Sequence, residues 1–200
     1  MTIAQHVHGA GRELLALDRA VFAAVHATPS PLIDRAIAQI SHAADHSRIW
    51  LSVAAAMGVL GHRPRRAAVV GLAAVGVASA LVNVAVKPVV KRGRPSQLSS
   101  VRTHLVRMPG SASYPSGHAA SAFAFSTAVG GGFPQVDTAL RLAATVVAYS
   151  RVHTGVHYPG DVIAGAVIGA GVGSLVRHLA DRAGFLEQWR SGATGAKTGG

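Results

Sequence analysis

Three short segments of the chain carry side chains suited to gripping a phosphate. They are Lys87-Pro-Val-Val-Lys-Arg-Gly-Arg94-Pro95, then Tyr114-Pro115-Ser116-Gly117-His118, then Ser150-Arg151 followed by His157 and Asp161. A phosphoryl group in transfer spreads negative charge over its non-bridging oxygens, so its site needs fixed cations aimed at them. Lys87, Arg94 and Arg151 can supply these, the arginines as planar forks and the lysine as a point charge. Ser116 and Gly117 precede an apolar run that reads as a helix. Their backbone N–H groups can therefore point at an anion, with Gly117 permitting close approach. Ser116 also suits a plain N-cap, which is compatible with phosphate binding. An imidazole doing covalent work needs a partner that fixes its tautomer and supports developing positive charge, and Asp161 stands close enough in sequence to partner His157. Pro159 and Gly160 form a turn before the last helix, so Asp161 reads equally as a helix cap.

These segments match, without a mismatch, the tripartite signature KxxxxxxRP, PSGH and SRxxxxxHxxxD, and the chain thereby resembles the type 2 phosphatidic acid phosphatase superfamily. The match spans residues 87 to 161 and leaves the first eighty-odd outside it. The resemblance implies that His157 is a nucleophile forming a phosphoenzyme and that His118 is the general acid for the leaving oxygen. It implies that Asp161 supports His157, that Lys87, Arg94, Ser116, Gly117 and Arg151 hold the phosphate, and that no metal or other cofactor takes part. It further implies an all-α bundle whose active site is assembled at one end from two inter-helix loops and two helix starts. Ala44-Asp45-His46-Ser47 with Trp50 is similar to the phosphatase part of some bacterial chains fused to a lipid kinase, a likeness that sets no substrate.

Other polar residues are less telling. His42, Asp45 and His46 invite a metal reading, but a single pair at four-residue spacing lacks a third ligand, and a polar loop is favoured. His153 either lines the pocket or flanks it. Lys91 and Arg92 read as well as a cluster meeting lipid head groups as they do phosphate ligands.

The chain has 19 Lys and Arg against 8 Asp and Glu, a formal charge of +11, which favours anionic partners such as phosphates, acidic lipids or nucleic acid. No carboxylate occurs between Asp45 and Asp137, so a phosphate held in that stretch meets cations rather than carboxylate-bound metal. A simple binder of lipid or nucleic acid needs neither His157 nor Asp161, and nucleic acid is not an expected partner. Cysteine is absent, which rules out disulfides and thiolate metal sites.

The elements that must position these residues follow from apolar patterning. Residues 11 to 28 place Leu14, Leu17, Val21 and Val25 at helical spacing with charges opposite, an amphipathic surface helix. Arg12, Glu13, Asp18 and Arg19 interrupt the apolar run a signal peptide needs, so export by cleavage is not expected. Pro29 and Pro31 break the chain before a second amphipathic stretch with Leu32, Ile33, Ala36, Ile37 and Ile40. Ile49 to Gly61 is short and apolar. A basic loop from His62 to Arg66 is expected before Ala67 to Val86, an uncharged run long enough to span a bilayer. Uncharged runs follow over 119 to 136 and 162 to 176, with a helix around 139 to 149 between them. In the last run Gly165, Gly169 and Gly173 put a smooth stripe on one helix face, which lets a neighbour approach closely.

The expectation is therefore an all-α, membrane-embedded bundle of about five transmembrane helices plus N-terminal amphipathic helices. Its parts would be an amphipathic segment 1–47, a phosphatase domain 48–182 and a flexible tail 183–200. The resemblance implies hydrolysis of a lipid phosphate monoester or diphosphate, with a soluble-type acid phosphatase or phosphotransferase as the alternative, and membrane lipids as surroundings. Basic residues 62 to 66 and the tail after Arg177 would share the cytoplasmic side of a multi-pass cell-membrane protein, leaving the site on the extracytoplasmic face. Residues 96 to 114 and the N-terminal region are where substrate selectivity would reside; oligomeric state leaves no trace.

Overall fold

The computed structural model describes residues 3–95 and 105–186, and among them every regular element is helical. Helices α1 (Ile3–His26) and α2 (Pro31–Ala43) lead through a 3-10 turn, Asp45–Ser47, into α3 (Arg48–Val59). Next comes α4 (His62–Ala80), which continues through a π-helical stretch, Leu81–Val86, into the short α5 (Lys87–Val90). After the loop follow α6 (Gly117–Gly130), α7 (Pro134–His153) and α8 (Pro159–Arg182).

The fold is built around α6, which packs on α4, α7 and α8. Small side chains make this possible: Ala119, Ala120, Ala122 and Ala124 are fully buried along it. The expected glycine stripe of α8 meets them. A methyl group on Gly165, Gly169 or Gly173 would overlap the carbonyl oxygen of Ser116, Ala120 or Ala124 respectively, so the two helices touch backbone to backbone. Their starts are also tied directly, since Ser116 N donates to Asp161 O over 2.8 Å. On another face of α6 the Phe125 ring lies 5.4 Å from the Trp50 ring, anchoring α3.

Several boundaries differ from those the pattern predicts. Residues 62 to 66, expected as a basic loop, form the first turn of α4. Pro64 is tolerated there because first-turn N–H groups have no intrahelical partner to lose. The result is one continuous helix from His62 to Val90. The uncharged run 119–136 is broken by Gly130, Gly131 and Gly132, and Pro134 starts α7. Helix α6 has 14 residues, about 21 Å, against a hydrocarbon thickness of about 30 Å. Among the described residues, His62–Val90 and Pro159–Arg182 are the helices long and apolar enough to cross a bilayer. That is fewer than the five expected, because α3 and α6 are short and α7 carries Asp137, Arg141 and Arg151.

The N-terminal helices turn polar side chains inward. On α1, Leu14, Leu17 and Val21 are exposed, whereas Phe22 and Val25 pack against Ala119, Ala148, Val152 and Val162. On α2, Leu32 is 81% exposed while Asp34, Ala38 and Ser41 are buried. The inversion follows from partners: Asp34 Oδ1 accepts from His153 Nε2 over 2.8 Å, and the Ser41 hydroxyl accepts from Arg151. Residues 183 to 186, expected in the tail, form a turn in which Leu186 is buried against the bundle and Phe185 O accepts from Arg66 over 3.0 Å. The rest of that tail, and residues 96 to 104 of the segment expected to set selectivity, lie outside the described residues.

Candidate active site

His157 occupies the loop between α7 and α8, where Gly155 at φ 76° turns the chain back. It is almost fully buried. Its Nδ1 lies 3.5 Å from Asp161 Oδ2 without completing a hydrogen bond, and its Nε2 lies 3.4 Å from Arg94 Nη1. One ring nitrogen therefore faces the carboxylate and the other faces a cation and the cavity. Asp161 sits in the first turn of α8, where Oδ2 also accepts the Tyr158 backbone N–H over 3.0 Å. The capping oxygen and the one facing His157 are thus the same, and Oδ1 accepts from Arg92 over 2.7 Å. Burial pushes His157 down to about 4; Asp161 opposes this shift, and the Arg94 and Arg151 guanidiniums add to it. At neutral pH the imidazole is uncharged.

Lys87 and Arg94 are held by neutral oxygens, and Arg151 by a hydroxyl and a carboxylate. Asn83 and Lys87 lie four residues apart across the π-helical stretch, and Lys87 Nζ donates to Asn83 Oδ1 over 2.9 Å. Lys87 Nζ also reaches Ser111 Oγ at 3.4 Å. Arg94 donates from Nε to Ser111 O (2.9 Å), from Nη1 to Val156 O (2.7 Å) and from Nη2 to Ser111 Oγ (3.3 Å). Arg151, on the last turn of α7, is buried; its Nη1 donates to Ser41 and lies 3.6 Å from Asp45 Oδ1, while its Nε has no partner.

His118 stands on the first turn of α6, with Nε2 3.0 Å from Asp45 Oδ1. Ser116 is the N-cap of that helix, its Oγ accepting from Ala119 N over 3.4 Å. Gly117 faces the cation: a Cβ there would lie 3.9 Å from Lys87 Nζ. Lys87, Arg94, Gly117, His118 and His157 line one cavity of about 240 Å³, together with Asn83, Ser111 and Trp50. The other three residues singled out in the sequence reach it through a partner. Asp161 touches His157, Arg151 touches Asp45, and Ser116 caps the helix that carries His118. A second cavity, of about 210 Å³, lies at the opposite end of the bundle between α4, α6 and α8 and contains none of these residues.

Sequence reasoning missed Ser41, Asn83, Ser111 and Asp18 as participants, weighed Arg92 as a phosphate ligand or head-group contact rather than as a partner of Asp161, and favoured a polar loop for Asp45. Asn83 carried a usable signal, a lone amide four residues before Lys87 in an apolar run. Asp45 carried a fainter one, as the last carboxylate before the long cationic stretch. His46 and Ser47, at φ 54° and 59°, turn the chain sharply after Asp45 and line the cavity; two left-handed non-glycine residues in a row are a conformation held by its surroundings. Nothing supports a metal at His42, whose Nε2 is engaged with Leu105 O at 2.9 Å; among the described residues no three His or acidic side chains cluster to hold an ion. His153 flanks the cavity, bound to Asp34 and 3.3 Å from the Tyr149 hydroxyl.

Residues 67–185 match the family described as the PAP2 superfamily. The chain belongs to the PAP2 superfamily. All eight site residues fall within the PAP2 match, whereas Asp18, Asp34, Ser41 and Asp45 precede it. The PAP2 chain is 36% identical over 166 residues to decaprenylphosphoryl-5-phosphoribose phosphatase of Mycobacterium tuberculosis, covering 79% of this chain and 89% of that one. It is 33% identical over 112 residues to lipid A 4'-phosphatase of Bacteroides thetaiotaomicron, covering 52% and 50%. Among solved structures, the transmembrane PAP2 type phosphatidylglycerolphosphate phosphatase of Bacillus subtilis superposes with a TM-score of 0.66 at 22% identity, covering 85% of this chain and 87% of that one. Aquifex aeolicus LpxE superposes at 0.68 and 23% identity, covering 80% and 94%. At those identities the likeness is one of fold.

Proposed function

We propose that this PAP2 protein hydrolyses a lipid phosphate monoester or diphosphate, without a metal, through a phosphohistidine at His157. The observation that carries the proposal is the setting of the buried His157: Nε2 beside Arg94 at the cavity, Nδ1 toward Asp161. Lys87 and His118 line the same cavity. The named activities of the Mycobacterium and Bacteroides relatives, both on lipid-linked phosphates, support a lipid substrate. Two long apolar helices and the exposed Val59, Val84 and Val89 support a multi-pass membrane setting. His62 to Arg66 and Arg177 gather at the end of the bundle opposite the site, which by the positive-inside rule favours an extracytoplasmic active site.

In the first step Nε2 attacks phosphorus, the phosphorus bond to the leaving oxygen breaks, and His118 gives that oxygen its proton; burial and Arg151 push His118 down to about 3, so it carries that proton only with the phosphate's negative charge beside it. Asp161 stabilises the positive charge that develops on the ring, and Lys87 and Arg94 face the non-bridging oxygens. In the second step water attacks the phosphohistidine, its proton passes to His118, the phosphorus–nitrogen bond breaks and phosphate departs.

Purified protein in detergent and excess chelator is expected to release phosphate from a panel of phosphatidate, phosphatidylglycerol phosphate and polyprenyl diphosphate. His157→Ala and His118→Ala should lose nearly all of that release, and an acid-labile phosphoenzyme should form in the wild type. Full turnover in His157→Ala would refute the phosphohistidine.

A further inference from the structure

We propose that Asp18 and Arg92 are positioning residues for this reaction, tying helix α1 to the carboxylate that orients His157 so that the N-terminal helix is a working part of the active site. The inference rests on His157 being the nucleophile. Its basis is an unbroken run of contacts. Arg92 Nη2 pairs with Asp18 Oδ2 while Nη1 donates to Asp161 Oδ1 over 2.7 Å, so one guanidinium bridges two carboxylates from different helices. The other oxygen of Asp18 accepts the Gly160 backbone N–H over 2.7 Å, one residue before Asp161. Little of this is open to solvent: the side chains are 9% exposed for Asp18, 19% for Arg92 and 0% for Asp161.

Aromatic contacts hold α1 in place over this point. The Arg92 guanidinium lies 4.4 Å from the centroid of the Tyr158 ring, and the Phe22 ring lies 5.4 Å from that of Tyr158. The ring at residue 158 is therefore gripped from α1 and from the loop after α5, and it adjoins His157 in the chain. Both Asp18 and Phe22 precede the matched family span, which starts at residue 67.

The physical role follows from what Asp161 can do with and without Arg92. With Oδ1 fixed on the guanidinium, the carboxylate offers only Oδ2 to Nδ1 and cannot rotate. Part of its negative charge is also offset, which restrains it from drawing a proton onto the imidazole. The charged and titratable groups around His157 are Asp161 from α8, Arg94 from the loop, Arg151 from α7 and His118 from α6, with Arg92 and Asp18 one contact further out. Removing Arg92 therefore misplaces the ring and favours its protonated, non-nucleophilic form.

The test uses the full-length protein in detergent and the lipid it hydrolyses fastest, with His157→Ala as reference. Arg92→Gln is expected to lower kcat on the order of 10-fold or more with KM little changed, and to move the acid limb of kcat/KM to higher pH. Arg92→Lys keeps the charge without the fork and should restore the acid limb while recovering only part of kcat. Asp18→Asn should lower kcat by about 5-fold, and the double variant Asp18→Asn with Arg92→Gln should be no worse than Arg92→Gln alone. Wild-type kcat and an unmoved acid limb in Arg92→Gln, with His157→Ala inactive, would overturn the inference and leave the phosphohistidine intact. A lowered melting temperature with kcat and pH profile unchanged would overturn it equally, as a purely structural contact. Turnover by His157→Ala would instead strike the phosphohistidine itself.

Discussion

Asp45 Oδ1 lies 3.0 Å from His118 Nε2, which makes a carboxylate of the turn before α3 the partner of the imidazole on α6. The same oxygen stands 3.6 Å from Arg151, so the acidic group joins two residues of different signature segments from outside both. The proposed proton donor gains from an acceptor that fixes its ring, the part proposed for Asp161 beside His157.

Asp45→Asn is therefore expected to slow the step that needs a proton. On a lipid phosphomonoester, whose alkoxide is a poor leaving group, kcat should fall on the order of 100-fold. On an aryl phosphate with an acidic phenol the loss should be much smaller. Comparing the two substrates in wild type and variant decides the matter, and equal losses would remove Asp45 from any part in protonation.

The pH profile follows from His157. Because burial holds its imidazole at about 4, His157, as the proposed nucleophile, should give kcat/KM an acid limb near there rather than near 6.5. Stability carries the same sign. The unfolded chain takes up a proton near 6.5 that folded His157 resists until about 4, so this residue's contribution is complete above 6.5 and is lost as pH falls toward 4. Thermal unfolding in detergent from pH 7 to pH 4 should show a steeper decline for wild type than for His157→Gln.

Gly169→Val tests the packing of α8 on α6. Its side chain would meet the Ala120 carbonyl and Cα, which belong to helix backbone and cannot swing aside. A loss of about 1–3 kcal/mol is expected, read as a drop in melting temperature. At Gly171, where a Cβ meets nothing within 4 Å, the same substitution should be nearly silent.

What the sequence made legible was which residues gather, because cations and imidazoles suited to one phosphate must stand within reach of it whatever surrounds them. Lys87, Arg94, Gly117, His118 and His157 do come to one cavity. The smooth face of α8 was legible too, since four-residue glycine spacing admits few other uses. The partners were not. Ser111 and Asp45 act from turns whose geometry depends on how the helices meet, and α2 buries its polar side because Asp34 and Ser41 answer charges far along the chain. Hydropathy misjudged residues 62 to 66 for a different reason: arginines read as loop, while a first-turn proline fits a helix start.

Ser111→Ala removes a hydroxyl shared by Lys87 and Arg94 while leaving the carbonyl that Arg94 Nε uses. Looser cations should weaken ground-state and transition-state contact with phosphate alike. A rise in KM of about 3- to 10-fold with kcat nearly held is expected from steady-state kinetics. A fall confined to kcat would instead place Ser111 in contact with the reacting atoms.

The contact of Gly165, Gly169 and Gly173 with the carbonyls of α6 also has a mechanical meaning. Where two helices rest on each other's main chain, no side chain can swing aside to absorb a shift, so along this stripe they move as a single beam. His118 stands on the first turn of one member of that pair and His157 two residues before the other begins, so a change in how α6 meets α8 is a change in the spacing of the two imidazoles.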